Sequence, residues 1–155
     1  MDSRAEQALS GELARHVVDR LAPDEMAVFD PVAQEYFADP QAVLSPARRA
    51  EAVGFGLDLA LLTPYALAVA GSVVTWLVTT VSTAAREESE ALVTSWVRGL
   101  FRRTRAPEPA AVPPLTGEQA ETVRRIAVRQ ARAVGLPDQQ AALVADAIVG
   151  AIRVR

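Results

Sequence analysis

The sequence predicts an all-α protein: a helical domain organised around one long central hydrophobic helix, at about residues 64–103, with a C-terminal helical hairpin. Three observations lead there. From Leu59 to Ala85 the chain contains no charged side chain. On either side of that run, apolar residues recur at helical spacing. Prolines also follow residues able to cap a helix, at Asp30-Pro31, Asp39-Pro40, Ser45-Pro46 and Thr63-Pro64. In such pairs the cap oxygen takes a free backbone N–H, and proline at the first helical position loses no hydrogen bond.

The length of 155 residues suits one domain, or one with a small appendage, and suffices to bury a core. Half the residues are apolar (50%), which excludes general disorder, and aromatics are only 5%, so the core is aliphatic. Every basic residue is arginine. There is no cysteine, which removes disulfides, thiolate chemistry and cysteine-based metal sites. The net charge of -3 is unevenly spread: residues 1–51 hold ten acids and five arginines, whereas residues 86–105 hold five arginines and three glutamates. An acidic part thus precedes the apolar run and a mildly basic part follows it. No part is basic enough to make nucleic acid the expected partner. The segment MDSRAEQALSGELARH lacks the apolar run of a secretory signal, so the expected location is the cytoplasm or the cytoplasmic side of its membrane.

Residues 5–21 read as an amphipathic helix, with Leu9, Leu13, Val17 and Leu21 at four-residue spacing and Ala5 and Ala14 beside them. The Pro signals then predict short helices near 23–29 and 31–38, a turn near 40–44 and a new helix from Pro46. Met26, Phe29, Ala33, Tyr36 and Phe37 share one face, which should fold back on the first helix as an acidic helical cap. Gly54 and Gly56 weaken the segment before Thr63-Pro64, where a restart of the helix is expected. No proline occurs between Pro64 and Pro107, so a single helix can run from Pro64 to about Arg103, a length of roughly 60 Å at 1.5 Å per residue.

Residues 1–105 are therefore expected to form the main body, 106–114 a Pro-rich linker of polyproline-like character, and 115–155 the hairpin. Thr116 with Gln119 makes a capping box, and Gly135-Leu136-Pro137-Asp138 reads as a helix stop, a turn and a new Asp cap. Val123, Ile126, Ala127 and Val134 line one hairpin helix; Leu143, Ala147, Ile148, Ala151 and Ile152 line the other. Two helices of this size rarely stand alone, so the hairpin must dock on the body, on a second copy or on a partner.

Function has to be read mainly from the central run. Residues 64–85 are long enough to cross about 30 Å of hydrocarbon. Against that stand a proline and several hydroxyl residues. Ala68, Ser72, Thr75, Thr79 and Ser82 recur at four-three-four-three spacing, a stripe suited to close helix packing or to lining a polar path. Val73, Val74, Trp76, Leu77 and Val81 form the apolar side, facing lipid or a core. Downstream, Val93, Trp96, Val97, Leu100 and Phe101 form a face suited to a membrane interface.

Asp58 is the single acid in the apolar region and is expected to lie outside any membrane. His16, the only histidine, cannot found a usual zinc site without further ligands. Glu25, Asp30 and Glu35 read as solvated faces and helix caps. Arg124, Arg125, Arg129 and Arg132 read as a solvated basic stripe, without aromatics to stack on bases.

The expectation is a non-enzymatic helical protein, without cofactor or metal, that associates with or inserts into the cytoplasmic membrane as a small effector or complex subunit. Its partners would be lipid or a helical protein, and a homo-oligomer is expected. The alternative is a soluble helical adaptor whose apolar run is a buried core helix. Packing of Val74, Leu77, Val78 and Val81 against Leu9, Leu13 and Val17 would favour that alternative.

Overall fold

The computed structural model describes residues 3–45, 61–85, 89–101 and 113–154. Among them are seven α-helices: α1 (Ser3–Leu21), α2 (Phe29–Ala38), α3 (Pro40–Val43), α4 (Thr63–Ala85), α5 (Glu90–Leu100), α6 (Gly117–Ala133) and α7 (Asp138–Gly150). A 3₁₀ helix, Pro23–Val28, joins α1 to α2. The all-α class, the long apolar helix and the C-terminal hairpin expected from the sequence are all present.

The central helix is shorter than 64–103. It is described over Thr63–Ala85, and a separate helix begins after Ser89, whose backbone is extended (φ -63°, ψ 151°) and whose hydroxyl accepts from the Leu92 N–H at 3.3 Å. An N-cap serine followed by Glu90 favours a new helix start, because its oxygen and the adjacent carboxylate both suit the positive helix end. The division lets the amphipathic face of α5 turn onto the core.

At the other end, Leu61 and Leu62 are not helical and α4 starts at Thr63, as the Thr-Pro signal suggested. The helix expected from Pro46, with Gly54, Gly56 and Asp58, lies outside the described residues, as does most of the 106–114 segment.

The core is one aliphatic cluster with α4 at its centre. Leu9, Leu13, Ala14 and Val17 of α1 are fully buried, together with Leu67, Val69, Val73, Val74 and Leu77 of α4. Burying each such Val or Leu contributes about 1.5–3 kcal/mol relative to exposure. The α1–α4 contact is the most extensive in the fold, and α4 also touches α2, α3, α5 and α6. Small residues let α1 and α4 approach: a Cβ on Gly71 would lie 3.8 Å from the Ser10 hydroxyl oxygen. The hairpin docks on this body, α6 against α4 and α7 against α1, adding Val123, Ala127, Val144 and Ile148 to the same cluster.

Local signals explain several helix ends. Asp39 caps α3, accepting from the Ala42 N–H at 3.1 Å, with Pro40 at the first position. Thr116 and Gln119 form the capping box of α6 in both directions, at 3.1 and 3.0 Å. Gly135, at φ 99°, closes α6: its N–H bonds Arg132 O and the Leu136 N–H bonds Ala131 O, the paired arrangement of a Schellman stop.

Two expected caps are used otherwise. Asp30 lies inside α2 and pairs with Arg15, whose guanidinium also sits 4.5 Å from the centre of the Phe29 ring. Asp138 caps nothing: Pro137 occupies the N-cap position of α7, and the Asp138 carboxylate meets Arg132 at 2.9 Å. In both cases an arginine across the gap competes successfully for the carboxylate.

A short clip of extended chain was not legible in the sequence. Residues 152–154 run between the end of α5 and the start of α6, with Phe101 bridging Ile152 in antiparallel fashion and Leu115 bridging Val154 in parallel. The Arg153 N–H donates to Leu100 O at 2.7 Å, and Arg153 O accepts from the Leu115 N–H at 2.9 Å. The Arg153 guanidinium adds a bond to Gly99 O at 3.1 Å. Ile152, Phe101 and Leu115 are buried beneath it.

Candidate functional site

The entry to α4 is built by a distant carboxylate. Glu25, on the 3₁₀ helix, accepts from the Leu62 N–H, the Thr63 N–H and the Thr63 hydroxyl at 2.9, 2.9 and 2.8 Å. The free N–H groups that begin any helix are thus met by an anion placed at the positive end of the dipole. Thr63 is fully buried, and its hydroxyl donates to Glu25 instead of capping its own helix. Glu25→Ala leaves these donors without their carboxylate and is expected to lower stability by about 1–3 kcal/mol, measured by urea unfolding. Glu25→Gln, which keeps one acceptor oxygen, is expected to cost less.

Beyond its entry, α4 has two unlike sides. Val73, Val74, Leu77, Val78 and Val81 are buried, and Trp76 packs partly buried at the edge of the core. The small-residue stripe divides along its length: Ala68 is buried against neighbours, Ser72 is half-buried, and Thr75, Thr79 and Ser82 are exposed. The Thr75, Thr79 and Thr83 hydroxyls donate to the carbonyls of Gly71, Thr75 and Thr79 at 3.0, 2.9 and 2.8 Å. Their donor capacity is met within the helix, so no neighbouring helix is needed to satisfy it.

The face of α5 expected at a membrane interface points inward. Val93, Val97, Leu100 and Phe101 are buried and Trp96 is partly so, all in or against the core cluster. On its polar side, Arg98 Nε donates to both carboxylate oxygens of Glu12 at 2.8 and 3.1 Å, tying α5 to α1.

Among the described residues, many carboxylates have structural partners. Besides Glu12, Glu25, Asp30, Asp39 and Asp138, Asp146 meets Arg124 at 3.0 Å across the hairpin. The exposed ion pairs among these, Arg15–Asp30, Arg98–Glu12, Arg124–Asp146 and Arg132–Asp138, each contribute about 0–1 kcal/mol. Arg125 donates to the Thr122 hydroxyl at 3.3 Å, and His16 is half-buried on α1. No group of three possible metal-ligating side chains comes together among the described residues.

Among the described residues, a groove of about 330 Å³ lies where α1, α2, α4 and α6 meet. Small α4 residues, among them Gly71 and Ser72, leave the space. Glu6, Gln7, Tyr36, Ser72 and Gln130 supply polar groups around it. Burial raises the pKa of the Tyr36 phenol above its ordinary value, so at neutral pH it remains a hydrogen-bond donor. No sequence pattern marks this groove, because its lining is scattered over four helices.

No protein-family model matches the chain, and neither a curated protein nor a solved structure is significantly similar to it.

Proposed function

We propose that the chain is a non-enzymatic helical interaction protein whose apolar run serves as its core helix and whose partner contacts lie on the outer faces of the helices. One observation carries this: Val74, Leu77, Val78 and Val81 lie in the same buried cluster as Leu9, Leu13 and Val17. Apolar side chains already enclosed by protein gain nothing further by entering lipid unless the fold opens. The structural use of the carboxylates as caps and ion-pair partners supports a contact role over catalysis.

A second reading, membrane association, rests on α4 itself. Residues Thr63–Ala84 are long and apolar enough to cross a bilayer, and 56% of the most apolar window is buried. Insertion would require α4 to leave α1 and α6.

The two readings separate on deletion of residues 63–85. Removal of a core helix abolishes the cooperative unfolding transition and leaves aggregated or protease-sensitive chain. Removal of a membrane element leaves a folded, soluble remainder, while the intact chain floats with liposomes. The expected result is loss of folding on deletion, with the intact chain recovered from detergent-free size exclusion. A folded deletion variant beside a membrane-bound intact chain overturns the proposal.

A further inference from the structure

The groove between α1, α2, α4 and α6 combines two features that the packing of the core does not require. First, it gathers half-buried polar side chains from all four helices at the edge of an aliphatic core: Glu6 and Gln7 from α1, Tyr36 from α2, Ser72 from α4 and Gln130 from α6. Second, these groups are not engaged with one another. The nearby Ser10 hydroxyl is satisfied, donating to Glu6 O at 2.8 Å. The Glu6, Gln7, Tyr36, Ser72 and Gln130 side chains, by contrast, have no hydrogen-bond partner among the described residues.

Convergent polar groups that no protein partner takes up, in an open concavity of about 330 Å³, are the makings of a small-ligand site. The volume lies at the low end of the usual range of about 300–1,000 Å³, so the ligand is compact. Two amides, a phenol and a hydroxyl offer both donors and acceptors, which suits a ligand rich in hydroxyl or amide groups. Among the described residues, the Glu6 carboxylate is the only ordinarily charged group on the lining, which holds no arginine or histidine. The Glu6 charge favours a positively charged ligand over an anion.

The geometry points to a binding site, formed by Glu6, Gln7, Tyr36, Ser72 and Gln130, for a small hydroxylated amine of about monosaccharide size. Glu6 holds the ammonium group, and the amides, Ser72 and Tyr36 pair with the hydroxyls. This goes beyond the contact role proposed above and does not depend on it.

The test compares three molecules of one skeleton and different charge. Glucosamine, glucose and glucose 6-phosphate are titrated into the intact ¹⁵N-labelled chain, and backbone amide shifts are followed. Glucosamine is expected to shift the amides of Gln7, Ser72 and Gln130 and to bind at least about fivefold tighter than glucose 6-phosphate. In Glu6→Gln, an isosteric change on an early turn of α1, that preference is expected to fall below about twofold while the fold is unchanged. Ser72→Phe, which fills the space, should remove the shifts; its folding is checked by the unaffected amides of the hairpin turn. Absence of saturable shifts at these amides with glucosamine overturns the site. Equal binding of all three molecules, or a preference that survives Glu6→Gln, overturns the charge assignment and with it the proposed ligand class.

Discussion

Replacing Leu77 with alanine is expected to lower the free energy of unfolding by about 2–5 kcal/mol, the range for truncating an enclosed leucine. Leu77 is fully buried at the centre of the cluster that α4 shares with α1, α5 and α6. The neighbouring layers cannot close a gap there without moving several helices, so most of the cavity cost should remain. A loss of that size is a large fraction of the roughly 5–15 kcal/mol that holds a domain together. Thr79→Ala, on the opposite side of the same helix, is expected to change stability by less than about 0.5 kcal/mol. Its side chain is exposed and its hydroxyl bonds only its own helix. Urea unfolding of the two variants reads the difference, and comparable values for both would mean that α4 does not have a distinct core side.

The second large effect is expected at the C-terminal clip. Ile152→Ala should cost about 2–5 kcal/mol, because Ile152 is fully buried and bridges Phe101. Removing residues 152–155 altogether also takes away the Arg153 bonds to Leu100 and Leu115. The backbone groups of those two residues then need new partners, which adds to the cost. Hydrogen exchange should reveal faster exchange at the Leu115 amide, which loses the Arg153 carbonyl in the truncated chain, with the α1–α4 contact less affected. Unchanged exchange at Leu115 would show that the clip does not hold the start of α6.

What could be read from the sequence divides by distance along the chain. The periodicity of Leu9, Leu13 and Val17, the Thr116–Gln119 box, the Asp39 cap and the Gly135 stop depend on residues within one or two helical turns, and each forms as its local chemistry dictates. The long-range features did not announce themselves. Glu25 caps a helix that begins 38 positions later, and residues 152–154 close against chain ends that only folding brings near. Asp30 and Asp138 show how a correct local signal is overridden when an arginine comes within reach.

The division of the long helix was not anticipated: the absence of proline between Pro64 and Pro107 permits one helix, but Ser89 followed by Glu90 starts a new one in the fold. The two-sidedness of α4 was legible from spacing alone. Which side would be covered was not, because small hydroxylated residues suit a tight helix contact and an exposed face equally well. In the fold the aliphatic side is covered, and the stripe is covered only at Ala68 and partly at Ser72. The groove lining was illegible for a related reason. Glu6, Tyr36, Ser72 and Gln130 belong to no common pattern until the helices are packed.

The lack of native cysteine makes the enclosure of α4 directly measurable. Single replacements Val74→Cys, Leu77→Cys, Thr79→Cys and Ser82→Cys are introduced, and the rate of thiol labelling is followed in detergent-free buffer with and without liposomes. An enclosed core helix protects the thiols at positions 74 and 77, leaves those at 79 and 82 reactive, and keeps that pattern when lipid is added. Rapid labelling at 77 in water, or protection at 79 and 82 that develops with lipid, would contradict the assignment of α4 as the core helix of the fold.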